Sequence, residues 1–115
     1  MSIKQESNIL DYKHALKASA GKEQLANNLL ALFIKQLTDY KQNIQTALDR
    51  HDLVMLQNNI HKLNGALQYI GAPSLSQQVS ELDGQIKQLS ENSLVIKVKH
   101  ILYSLEQISI EGKYP

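Results

Sequence analysis

Asn58-Asn59-Ile60-His61-Lys62-Leu63-Asn64-Gly65-Ala66-Leu67-Gln68-Tyr69-Ile70-Gly71-Ala72-Pro73-Ser74-Leu75 is the stretch whose reading decides the fold. At about 100° of rotation per residue, Leu53, Leu56, Ile60, Leu63, Leu67 and Ile70 fall on one side of a helix. Their stripe is narrower than about a third of a turn, as a core-facing helix requires. His61 lies roughly 130° from the centre of that stripe, on a face shared with Val54, Gln57, Asn58, Gly65 and Gln68. The pattern predicts an amphipathic helix that buries its aliphatic stripe and keeps one imidazole in water. Gly71 ends it, because glycine tolerates the left-handed dihedrals of a helix terminus. Pro73 opens the next helix, where a missing first-turn N–H costs nothing.

Gly65 stands inside this helix four residues after His61, and so beside it on the helix surface. A mid-helix glycine costs about 1 kcal/mol relative to alanine. Two readings explain it: close packing against a neighbouring helix, or a cleared approach to the imidazole.

Working outward toward the N-terminus, His51-Asp52 breaks the pattern, and Asp52 can cap the helix bearing His61. Before it, a long helix is expected from about Lys22 to Arg50, with apolar positions at Leu25, Leu29, Leu32, Phe33, Leu37, Tyr40, Ile44 and Leu48. A short helix through Tyr12, Ala15 and Leu16 precedes it, capped by Asp11 and ended by Gly21. Toward the C-terminus, Leu75, Val79, Leu82, Ile86 and Leu89 recur in steps of four and three, a bundle seam. Gly84 inside it weakens the helix locally. Ser90-Glu91-Asn92-Ser93 reads as a turn cluster, and a last helix carries Leu94, Val98, Ile101, Leu102, Leu105 and Ile108. No convincing period-two stretch suggests a strand. The expected fold is all-α, an antiparallel up-down-up-down four-helix bundle with a short extra N-terminal helix across one end. The bundle is expected over residues 9–110, between a flexible N-terminus (1–8) and a flexible C-terminus (111–115).

Composition narrows the function. The 115 residues suit one domain. Lys+Arg 12 against Asp+Glu 11 leaves a formal net charge of +1, which supplies no basic stripe for nucleic acid. Without cysteine there is neither a disulfide nor a thiolate metal site. No apolar run approaches the ~18 residues of a membrane span, and the first residues lack the apolar core of a signal peptide. A cytoplasmic module is expected, free-standing or cut from a longer chain.

His61-x-Leu63-x-Gly65, followed by Gly71-Ala72-x-x-Leu75, resembles the histidine-containing phosphotransfer (HPt) domains of bacterial phosphorelays. The fuller string His61-Lys62-Leu63-x-Gly65-x-x-x-Tyr69-x-Gly71-x-Pro73-x-Leu75 is especially similar to the C-terminal HPt domains of BarA/GacS-type hybrid sensor histidine kinases. The likeness runs from about Ile9 to about Ile108. It implies a phosphorelay intermediate that takes a phosphoryl group from a receiver-domain aspartate onto Nε2 of His61 and passes it to a response regulator. It also implies a tie to the inner membrane through a parent kinase.

The residues are compatible with that role. An exposed imidazole is a nucleophile near neutral pH. The chain has no glycine-rich phosphate loop, Walker-type lysine or acidic triad for Mg²⁺, so it is not expected to act as an autonomous kinase. It holds no cofactor or metal of its own in this reading; receiver domains bring the Mg²⁺. Many members of the resembled family carry lysine three residues after the histidine, where this chain has Asn64. Lys62, Asn64, Gly65 and Gln68 are the expected neighbours of the phosphoryl group, and Val54, Gln57 and Asn58 the expected partner-docking residues. Tyr69 falls off the main stripe, at the bundle rim. His14, His51 and His100 lack metal-ligand spacing and read as surface or helix-end residues. As an isolated domain the chain is expected to be a monomer. The rival readings are a non-catalytic helical adaptor that binds a receiver or other partner, and a dimerisation bundle.

Overall fold

A computed structural model describes residues 9–115; the expected flexible segment 1–8 lies outside them. The described chain forms α1 (Tyr12–Ala18), α2 (Glu23–Asp49), α3 (Leu53–Ile70), α4 (Pro73–Gln85) and α5 (Glu91–Glu111). Helix is the only regular secondary structure in this part of the chain. Helices α2 to α5 pack around one core in the order α2–α3–α4–α5, with α5 returning against α2, and α1 lies against α2 and α3.

Caps set the boundaries. The Asp11 carboxylate accepts from the His14 amide at 3.1 Å and starts α1. Asp52 does the same for Met55 at 3.0 Å and starts α3. Ser90, expected within a turn cluster, is instead the N-cap of α5, its hydroxyl accepting from Ser93 N at 3.2 Å. The helix therefore begins at Glu91, earlier than the hydrophobic pattern indicated.

The core stripe of α3 is as expected at Leu56, Ile60, Leu63, Leu67 and Ile70, all buried, whereas Leu53 in the first turn is partly exposed. Opposite them stand Val79, Leu82 and Ile86 from the α4 segment, and Val98, Ile101, Leu105 and Ile108 from α5. Helix α2 departs from the expected register in its first half. Leu25 and Leu32 are exposed, and the buried residues are Ala26, Leu30, Phe33 and Leu37. Each leucine has a buried neighbour one position away, so the richest leucine pattern selected the wrong flank.

Helix α1 closes one end of the bundle. Gly71 ends α3 at φ 72°, and its carbonyl accepts from Asp11 N at 2.7 Å. A Cβ at Gly71 would stand 2.6 Å from Asp11 O and 2.7 Å from Ala15 N, so glycine is needed for both conformation and clearance. The C-terminal tail, expected to be loose, is tied to the same end. Glu111 accepts from Ile9 N at 3.1 Å, and Tyr114 donates from its hydroxyl to Ile70 O at 2.7 Å. The Tyr114 ring also packs on Tyr12, with centroids 5.3 Å apart. Burial, and then the proximity of Tyr12, push the Tyr114 phenol up to about 12.

Among the described residues, no helix is long and apolar enough to cross a membrane.

Candidate functional site

His61 sits at the middle of α3 with its side chain 78% exposed. The stripe beneath it fixes the helix against the core, so the ring is presented outward by a rigid support rather than by a loop. Its Nδ1 lies 3.1 Å from Oδ2 of Asp83, on α4, whose side chain is only 21% exposed. A ring nitrogen that hydrogen-bonds an ionised carboxylate must carry the proton. In a neutral ring, an Nδ1–H that donates to Asp83 leaves the lone pair on Nε2, on the side of the ring away from α4.

Asp83 was not found by sequence reasoning. Its signal was nevertheless present. Helices α3 and α4 are antiparallel about a turn at Gly71-Ala72, so residues at similar distances from the turn face each other. His61 lies ten residues before Gly71 and Asp83 twelve after it. Local metal-ligand spacing does not reach it, because Asp83 lies 22 residues from His61.

Gly65 is exposed, and a Cβ added there meets nothing within 4 Å. The close-packing reading of this glycine is thereby removed. The helix accepts a residue that weakens it by about 1 kcal/mol and gains no internal contact in return. What the glycine leaves is open space one turn from the imidazole.

The remaining expected site residues divide among three directions. Gln68 is exposed and lines a groove of about 510 Å³ between α3 and α4, shared with Asn64, His14, Ser76 and Ser80. Asn64 is half-buried and faces α4, its Oδ1 accepting from the Ser76 hydroxyl at 3.2 Å. Its carbonyl end is thus engaged by α4, and its amide alone is free to donate. Lys62 is exposed and turns toward α2, beside Asp39, Tyr40 and Asn59. The lysine and the Asp83 carboxylate therefore stand on opposite flanks of α3.

Of the expected docking residues, Val54 is 65% exposed and Asn58 is exposed. Gln57 is half-buried, and its amide donates to the Asp83 carbonyl at 3.2 Å. It braces α3 against α4 one turn before His61 instead of standing free at the rim. A larger apolar surface went unnoticed. Leu25, Leu32 and Tyr69 are exposed, and Leu32 and Tyr69 flank a groove completed by Leu29, Phe33 and Ala66. Periodicity assigned these leucines to the core, which concealed them as surface.

The other histidines are separate from this arrangement. His51 occupies the α2–α3 turn at φ 55°, with Nδ1 3.6 Å from a Glu91 carboxylate oxygen. His14 and His100 are exposed on α1 and α5. Among the described residues, no three His, Asp or Glu side chains converge as a metal site would require.

Comparison with known proteins agrees with this geometry. The family described as "Hpt domain" matches residues 28–109. The chain is 32% identical over 80 residues to "Sensor protein GacS" of Pseudomonas syringae pv. syringae, covering 70% of this chain and 9% of that protein. It is 25% identical over 104 residues to "Signal transduction histidine-protein kinase BarA" of Escherichia coli K12, covering 90% of this chain and 11% of that protein. It thus spans about a tenth of the length of these curated relatives. Among solved structures, it superposes on the crystal structure of the HPT domain from a Shewanella sensor hybrid histidine kinase with a TM-score of 0.82. That match has 27% identity and covers 90% of this chain and 89% of the other.

Proposed function

This chain belongs to the Hpt domain family, and from that premise we propose that it is a phosphorelay intermediate in which His61 carries the phosphoryl group. One receiver domain would supply the group from its phospho-aspartate, and the aspartate of a response regulator would receive it. The observation that carries this reading is the outward Nε2 of an exposed ring beside a glycine that has no packing role.

The step balances without a base. The Nε2 lone pair forms the N–P bond while the bond between phosphorus and the donor's carboxylate oxygen breaks. That electron pair leaves with the carboxylate. Nδ1 keeps its proton, and the ring takes up positive charge beside the incoming phosphoryl group. Delivery to the second aspartate is the reverse. Such transfer needs in-line approach and neutralisation of the phosphoryl oxygens. Lys62, the Asn64 amide and Gln68 are the groups this chain offers for the second task. Mg²⁺ belongs with the visiting receiver in this proposal.

The docking footprint we assign to the receiver is Val54 and Asn58 together with the exposed apolar Leu25, Leu32 and Tyr69. Amide shift mapping with an unphosphorylated receiver should trace this surface; shifts confined to α5 would discard it. Action at the cytoplasmic side, inside a longer sensor kinase, follows from the same proposal, as does a monomeric isolated domain.

The test is incubation with a phosphorylated receiver and Mg²⁺, followed by acid. Label that is acid-labile and absent from His61→Gln supports the relay. A fully folded His61→Gln that still accepts label refutes the assignment. A stable complex without any label returns the non-catalytic adaptor.

A further inference from the structure

We propose that the outward face of α5 is a weak self-association surface, on which a second copy of this chain packs antiparallel about Tyr103. This goes beyond the relay reading and does not depend on it.

Ile96, Tyr103 and Ile110 are 68%, 64% and 69% exposed. They recur every seven residues, so they drift by only about 20° per step around α5. Tyr103 stands about 180° from the centre of the buried set Val98, Ile101, Leu105 and Ile108. The core is closed without this row. His100 and Gln107 fall between its three members and complete a seam with polar residues at alternate levels. Helix α5 packs on α2 and α4 and lies across the bundle from α3. A copy seated on its outer face therefore leaves His61 open.

The occupant follows from symmetry and charge. Ile96 and Ile110 are equally spaced about Tyr103. An antiparallel pair with its symmetry axis at Tyr103 sets Ile96 on Ile110 of the other copy and Tyr103 on Tyr103, the self-complementary pattern of a closed dimer. Lys99 and Glu106 share one flank of the row, and Lys97 and Glu111 the other. In the antiparallel pair Lys99 comes beside Glu106 of the other copy, and Lys97 toward its Glu111. Among the described residues, Lys97 and Lys99 form no ion pair within the chain. Glu106 pairs with Lys41 yet keeps its side chain 50% exposed, and Glu111 holds the Ile9 and Leu10 amides. A parallel pair would instead bring the lysine ends together. A lipid surface fits poorly, because the row is one residue wide and interrupted by His100 and Gln107.

Size makes the contact weak. The three side chains offer about half of the ~800 Å² that each partner gives to a stable interface. A dissociation constant on the order of 1 mM is expected. The isolated domain is then a monomer in dilute solution, and the faces pair where copies are held together.

The chain has no cysteine, so Asn92→Cys, exposed in the first turn of α5, can carry a single spin label. The spin-labelled chain is mixed with ¹⁵N-labelled wild type at about 1 mM. The antiparallel pair predicts broadened amides near Ile110 and Lys113, at the far end of α5 from the label, with those near Asn92 spared. Tyr103→Ser should weaken pairing about tenfold, and Lys99→Glu about threefold, with circular dichroism confirming both folds. Broadening near Asn92 itself would mean a parallel pair. Broadening that is absent, scattered, or undiminished in Tyr103→Ser would mean no specific pair. Each of these overturns the proposal. Sedimentation with phosphatidylglycerol vesicles that requires Tyr103, without the broadening, would give the face to a membrane and overturn it too. In dilute solution Tyr103→Ser should accept label from a phosphorylated receiver like wild type; a loss would place Tyr103 in the receiver's footprint and refute the assignment of this face to a second copy.

Discussion

Replacing Gly65 by alanine should make the protein more stable and a poorer relay. On the stability side, a Cβ at this position meets nothing within 4 Å, so no clash opposes the gain in helix propensity. That gain is about 1 kcal/mol for an exposed helix interior, which for a domain of this size corresponds to roughly 4 °C in Tm. Urea denaturation followed by circular dichroism should show a higher midpoint with an unchanged slope. On the functional side, the added methyl group stands one turn from the imidazole, where a receiver would approach in the proposed relay. Alanine should slow acceptance modestly. Gly65→Leu, which fills the space, should slow it by about two orders of magnitude, the cost of misplacing reacting atoms by about 1 Å. The reasoning is refuted in two separable ways. Destabilisation by Gly65→Ala would mean that the glycine is packed after all. Wild-type transfer by Gly65→Leu would mean that the open space has no part in docking.

Two further outcomes are expected at the closed end of the bundle. Gly71→Ala should destabilise by about 3 kcal/mol or more, since the left-handed backbone alone costs about 1–2 kcal/mol and the added Cβ would collide with Asp11 and Ala15. Equilibrium denaturation reads the loss, and faster exchange of the Asp11 amide should accompany it; unchanged stability would contradict the close approach of α1. Tyr114 should be the last of the five tyrosines to ionise, near pH 12 rather than 10. Because the folded value is raised, its contribution to stability is intact below about pH 10 and lost as pH rises toward 12. Alkaline absorbance titration of wild type and Tyr114→Phe checks this, and an early-titrating Tyr114 would show that the tail is not docked.

The helix order, both α3 boundaries and the exposure of His61 were legible because each rests on local rules. A 3.6-residue period, a capping aspartate and a terminating glycine need no knowledge of neighbours. The register of α2 was not legible. Leu25 and Leu32 share the leucine spacing of core residues, and the choice of Ala26 and Leu30 instead is made by helices that the local pattern does not see. The same limit hid Asp83, whose contact with His61 exists only once α4 folds back on α3. Gly65 remained ambiguous for the opposite reason, because close packing and open space call for the same residue. The C-terminal tail looked loose on composition, yet Tyr114 finds an unsatisfied carbonyl at the end of α3.

The imidazole is open to solvent except where α4 meets it, at Nδ1, through Asp83. Under the proposed relay, a donor and an acceptor that both meet Nε2 would use the same berth in turn. Traffic through such a domain is a queue, and its throughput depends on how quickly the first visitor departs. A spent donor that lingers would act as a competitive inhibitor of its own pathway.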